Sequence, residues 1–196
     1  MTEAPFETRM PHSEIRRSLQ GALELFRGRA EGLQCFDFSV AGFWRSFAAM
    51  LLVAPLYALE VAVDSHEGAQ AGAGFFALKA LAYVVDWILF PVLIAALAKP
   101  LDIGRFYVPY IVAYNWSSVV IAALFAPATL LASAGLLGRG PAAVIGLMLT
   151  VIAARYRFTI ARTALQARPA TALGLVLLEL LLSILIIAVF ARLAPA

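Results

Sequence analysis

The chain has 196 residues, of which 63% are hydrophobic and only 14% charged. A soluble domain carries about 25% charged and 45–50% apolar residues, and a chain of this length has too much surface for its volume to hide the excess. That composition excludes a soluble globular domain and calls for a bilayer as solvent; the net charge of +3 does not point to nucleic acid, because the basic residues flank apolar runs, where membrane proteins hold Lys and Arg for topological reasons.

Residues 1–12 are polar, contain two prolines and read as disordered. From Ser13, a plausible N-cap, the apolar residues Ile15, Leu19, Leu23 and Phe26 recur at helical spacing. Glu14, Arg16, Arg17, Gln20, Glu24 and Arg27 fall mostly elsewhere on the same helix. This amphipathic helix is too short and too charged to span a membrane. Two dispositions fit it: flat on the cytoplasmic leaflet with its basic residues at the headgroups, or packed on the cytoplasmic face of the protein itself. The first is the expected one. Gly28 and Gly32 follow, and then Phe36, Phe38, Phe43 and Trp44 read as an interfacial aromatic anchor.

A spanning helix needs about 20 mainly apolar residues. Five runs qualify: Ser46–Val63, Lys79–Ala98, Tyr107–Phe125, Pro141–Ile160 and Ala170–Ala191. Pro127 is expected to end the third. The predicted fold class is therefore all-α, a polytopic bundle of about five transmembrane helices with an N-terminal interfacial helix. The predicted organisation is a cytoplasmic segment over residues 1–45, a membrane domain over 46–191 and a short external C-terminus over 192–196. No cleavable signal peptide is expected, because the first 42 residues hold five arginines and no apolar core. With these spans, twelve of the Lys and Arg residues fall on the N-terminal side and three (Lys79, Arg139 and Arg192) on the other. The positive-inside bias places the N-terminus in the cytoplasm, and the predicted location is the inner membrane.

Five polar residues within the spans are the informative ones: Glu60, Asp86, Asn115, Arg155 and Glu179. A charge at the bilayer centre costs about 2.5–3.5 kcal/mol on insertion scales, so such residues are paired, neutralised or in contact with water. In an antiparallel hairpin, residues equidistant from the loop centre lie at equal depth. Arg155 lies twelve residues before Ala167 and Glu179 twelve after it, which predicts an Arg155–Glu179 ion pair. The same geometry levels Asp86 with Ser118, with Asn115 one turn away, and Glu60 with Lys79. Two roles fit the acids: structural glue between helices, or a proton or ion pathway through Asp86 and Glu179. An Arg155–Glu179 pair favours glue; Asp86, with only neutral neighbours expected, fits either.

Other chemistry lacks its parts. His12 and His66 fall on opposite sides of the membrane and cannot share a metal, and Cys35 is the single cysteine. Ser117 and Ser118 have no histidine near them and are expected to bond neighbouring helices. The glycine-rich stretch Gly68–Gly74 follows no strand and reads as a flexible connection rather than a phosphate cradle. Pro55, Pro91 and Pro109 are potential kinks. No cofactor is expected.

The segment RFYVPYIVAYNWSS (Arg105–Ser118) and the five-span plan resemble small bacterial inner-membrane proteins of uncharacterised function. The plan over residues 46–191 is also loosely similar to that of the Yip1 family, with its cytoplasmic N-terminal region and five spans. That resemblance implies a membrane-organising or partner-binding role without catalysis, and transfers no functional residue. The functional expectation is a non-enzymatic inner-membrane protein acting through membrane-protein or lipid partners, or as a homo-oligomer. The alternative is a small proton- or ion-coupled transporter or channel using Asp86 and Glu179. A water-accessible cavity reaching Asp86 favours transport; a closed bundle favours the partner-binding role.

Overall fold

The computed structural model describes residues 12–67 and 72–193. The expectations for residues 1–11, for 68–71 and for 194–196 of the C-terminus lie outside the described residues, as do those for the side chains of His12 and His66. The order is α1 (His12–Phe26), a 3-10 helix (Ala30–Cys35), α2 (Val40–Ser46), α3 (Ala49–Glu67), α4 (Ala73–Ala98), α5 (Tyr107–Ser133), α6 (Arg139–Thr163) and α7 (Pro169–Leu193), with a short 3-10 turn before α5. No strand occurs among the described residues. Lipid offers the backbone no hydrogen-bonding partner, so long apolar runs close their bonds internally as helices.

Five stretches are long and apolar enough to cross a membrane: Val40–Ala62, Ala73–Ala98, Gly104–Ser133, Gly140–Thr163 and Pro169–Leu193. The predicted all-α bundle is the observed fold. Two spans differ from expectation. The first is a broken helix: α2 ends at Ser46 and α3 begins at Ala49. Ser39 starts α2 by accepting a hydrogen bond from the Gly42 amide at 3.0 Å. The third runs straight through Pro127 to Ser133. A proline in a membrane helix is tolerated, because neighbouring groups can satisfy the carbonyl it frees. The true stop is Gly135, at φ +70. The Leu136 amide bonds back to Leu131 O and the Gly135 amide to Ala132 O, the paired bonds of a left-handed helix ending that favours glycine.

The expectation that α1 lies flat on the leaflet gives way to its alternative. α1 packs across α5 and α6, with Ala22 and Leu25 fully buried. The Tyr156 hydroxyl of α6 donates to Ala22 O, and the Tyr156 ring meets Phe26 edge-on at 5.2 Å. The face that docks carries Ile15, Ser18, Leu19, Ala22 and Leu25, a helical stripe that leaves Leu23 exposed. Gly21 and Gly32 cross so closely that a Cβ on Gly21 would sit 2.6 Å from Gly32 O. Arg45 then clasps the segment: Nε lies 2.9 Å from Glu14 Oε1 on α1, and Nη2 lies 2.6 Å from Asp37 Oδ2. The backbone N–H of Ser39, and then the Arg45 charge, hold the Asp37 carboxyl below its ordinary value of 3.8. Of the expected aromatic anchor, Trp44 is exposed, whereas Phe36 is buried in the core.

In the bundle, α3 runs along α5 and α4 along α7, while α6 packs on α5 and α7; α3 and α4 meet only briefly. This arrangement leaves a hollow between two helix pairs.

Candidate functional site

The hollow is a cavity of about 670 Å³ between α3, α4, α5 and α7. At one end its walls are Phe75 and Lys79 in the first turns of α4, with Phe190 and Ala191 near the end of α7. It therefore reaches the face of the bundle opposite the N-terminal segment. Its floor is formed by Asp86, Tyr114, Arg157 and Glu179. Eleven helical residues separate Phe75 from Asp86, a depth of about 16 Å at 1.5 Å per residue.

Three of the five polar residues singled out in the sequence line this cavity: Glu60, Asp86 and Glu179. Glu60 accepts a hydrogen bond from Thr129 Oγ1 at 3.3 Å and faces the same space as Lys79. The Lys79 ammonium lies 5.4 Å from the centre of the Phe75 ring. Asp86 feels the charges of Glu179 and Arg157 but hydrogen-bonds to neither neighbour the sequence had proposed. Ser118 accepts from Arg157 Nη2 at 2.9 Å. Asn115 is fully buried away from the cavity, its Nδ2 donating to Ser46 Oγ at 2.8 Å. Ser46 Oγ in turn donates to Phe43 O at 2.6 Å. Asn115 thus ties α5 to the break in the first span, and its Oδ1 is buried without a protein partner.

The predicted Arg155–Glu179 pair is corrected to Arg157–Glu179. Arg155 is exposed, and Arg157 Nε lies 3.0 Å from Glu179 Oε1. Equal depth does not fix direction: two residues rotate a side chain by about 200° around a helix of 3.6 residues per turn, so Arg155 and Arg157 face opposite ways. The sequence held the deciding signal. Ile160, Ala161 and Ala164, at +3, +4 and +7 from Arg157, form a buried helix face, whereas Thr159 and Arg162 share the side of Arg155.

Arg157 has a neighbour at every nitrogen, Nε meeting Glu179 as an ion pair without hydrogen-bond alignment. Nη1 donates to Tyr114 O at 2.8 Å and to Ser117 Oγ, Nη2 donates to Ser118 Oγ, and the guanidinium stacks over the Tyr114 ring at 3.7 Å. The Tyr114 hydroxyl closes the ring by donating to Glu179 Oε1 at 2.9 Å. Ser117 and Ser118 thus bridge helices, as expected. Behind this floor Phe90 stacks on Tyr114 at 4.5 Å, and Ile94, Tyr110 and Ile111 are buried.

Fold and site together define a multi-pass helical integral membrane protein, in contact with the lipid bilayer, whose bundle holds an open, partly polar cavity. No protein-family model, curated protein or solved structure matches the chain.

Proposed function

We propose that the protein is a small non-enzymatic transporter that takes a solute into the intramembrane cavity and exchanges a proton at Asp86. The observation that carries this reading is a cavity of about 670 Å³ with Asp86 on its floor. A ligand site of this kind is typically about 300–1,000 Å³, mainly apolar, with a few placed polar groups. A helix bundle that served only as a scaffold has no need of such a space.

The charges around Asp86 support the division of labour. From α7 it faces Glu179, from α6 Arg157, from α5 the Tyr114 hydroxyl and from its own helix Tyr83. Glu179 is held by Arg157 and Tyr114 and serves as structural glue. Asp86 is the carboxylate left to respond to a proton or a solute. The basic residues flanking the spans favour a cytoplasmic N-terminus and an inner-membrane location, so the cavity opens outward. The resemblance in plan to the Yip1 family favours instead a membrane-organising protein with protein partners or a second copy of itself. The cavity is the reason transport is preferred.

Proteoliposomes test the choice. An imposed pH gradient should drive flux of at least one member of a panel of fluorescent amphiphiles through the wild type, and Asp86→Asn should abolish the coupling. Absence of gradient-driven flux across the panel returns the protein to the partner-binding class.

A further inference from the structure

The lining also indicates a substrate class, an inference that rests on the cavity being a binding site. We infer that the cavity takes an amphipathic organic cation, seated with its charge at Asp86 and its apolar body against the aromatic wall of α3 and α4.

The argument begins with which charges are available. Two cations line the cavity, Arg157 and Lys79, against three carboxylates, Glu60, Asp86 and Glu179. Arg157 cannot serve an anion without giving up partners: its three nitrogens meet Glu179, Tyr114 O, Ser117 and Ser118, and its face lies on the Tyr114 ring. Breaking a buried ion pair is strongly unfavourable, and an anion at Arg157 would first have to offset that loss. Lys79 stands near the mouth, about two turns from the floor, at the aromatic ring of Phe75. At the floor, therefore, the charge open to a ligand is the Asp86 carboxylate.

The wall beside Asp86 is aromatic. Tyr57 of α3 and Tyr83 of α4 stack at 4.5 Å between centroids, with planes 21° apart. Tyr83 meets Trp87 edge-on at 6.2 Å. The two tyrosine hydroxyls are held by backbone carbonyls, Tyr57 on Lys79 O at 3.0 Å and Tyr83 on Met50 O at 2.6 Å. Those bonds orient the rings, so the wall is preformed. Aromatic faces attract cations, more strongly once water is removed, and a carboxylate beside them adds a full opposite charge. The far wall, with Ile121, Ile186 and Ile187, is apolar and suits the hydrophobic body of an amphiphile rather than a small hydrated ion.

Equilibrium binding to the purified full chain in non-ionic detergent tests this with two probes of matching shape and opposite charge, tetraphenylphosphonium and tetraphenylborate. Binding counts only as the saturable part above protein-free micelles. Tetraphenylphosphonium should bind the wild type at least tenfold more tightly than tetraphenylborate. Asp86→Asn should weaken the phosphonium at least tenfold and leave the borate within about twofold. Equal or tighter binding of the borate to the wild type overturns the inference, and needs no variant to be folded. An unchanged phosphonium affinity in Asp86→Asn overturns it as well. If neither probe binds while the proteoliposomes still show gradient-driven flux, the cation assignment fails and the transport reading stands. If flux is absent too, both fail.

Discussion

The two ends of this bundle are built from the same five spans and are packed differently. Toward the N-terminal segment, α1 and the 3-10 helix cap α5 and α6, and small residues such as Ala22, Ala49, Ala113, Ala161 and Ala172 let backbones approach to full burial. Beyond the level of Asp86, only Val61 and Ile186 among the described residues are buried. There leucines and isoleucines of α7 such as Leu181 and Ile184 point outward, and the interior is the cavity. In a bilayer both arrangements are stable, because lipid solvates apolar side chains as well as protein does. Close packing at one end therefore reflects a structural requirement that the other end does not share: one end is sealed and the other open.

The largest expected effect lies at the boundary between the two ends. Arg157→Leu leaves Glu179 charged and Ser117 and Ser118 without their donor, which costs about 3–5 kcal/mol in buried pairs. The double change Arg157→Leu with Glu179→Leu should recover much of that loss. Arg155→Leu, on the exposed side, should stay within about 0.5 kcal/mol. Thermal unfolding in detergent separates these cases, and a loss on Arg155→Leu as large as that on Arg157→Leu would contradict the pairing.

The contrast between the ends can be read directly from matched leucines. Leu25→Ala, at full burial under the N-terminal cap, should cost about 2–5 kcal/mol. Leu181→Ala, 64% exposed on the hollow half, should cost almost nothing. Equal losses would mean that the cap is not seated on the bundle. A smaller effect is expected within the sealed end from Ser46→Ala, which strips the buried Asn115 amide of its acceptor at about 1–3 kcal/mol. If the broken span is held by that bond, protease susceptibility around residues 46–49 should rise with the substitution.

The smallest effect concerns acid. Asp37 has a folded-state value below its ordinary one, so it contributes stability at neutral pH. That contribution is present above the unfolded value and is lost as pH falls through the folded one. The wild type should therefore lose slightly more stability than Asp37→Asn between pH 5 and about pH 3. Parallel pH curves for the two would show that neither the Ser39 N–H nor the Arg45 charge acting on Asp37 contributes to stability.

The spans were legible because each is a long apolar run, and a chain in lipid has few alternatives to a helix. Glu60, Asp86 and Glu179 were legible for a related reason: an acid inside a span is costly enough to need explanation. Direction around the helix was harder, because equal spacing from a loop gives depth alone, and Arg155 was named where Arg157 makes the contact. Pro127 misled because a proline stops a helix more surely in water than in lipid, while Gly135 carried the actual stop. The disposition of α1 was open, since one apolar stripe suits a leaflet or a protein face equally well. The cavity had no local signal: it arises where α4 follows α7 and α3 follows α5, a matter of packing between distant segments.

The central claim is that the cavity opens on the face away from the N-terminus and is sealed from the other. Single cysteines in a Cys35→Ser background, in sealed vesicles of both orientations, test it most directly. Ser183→Cys on the cavity wall should react with a membrane-impermeant thiol reagent only from the face opposite the N-terminus, and Ala113→Cys in the sealed end should react from neither. Labelling of position 183 from the N-terminal face, or its protection from both, would contradict the account.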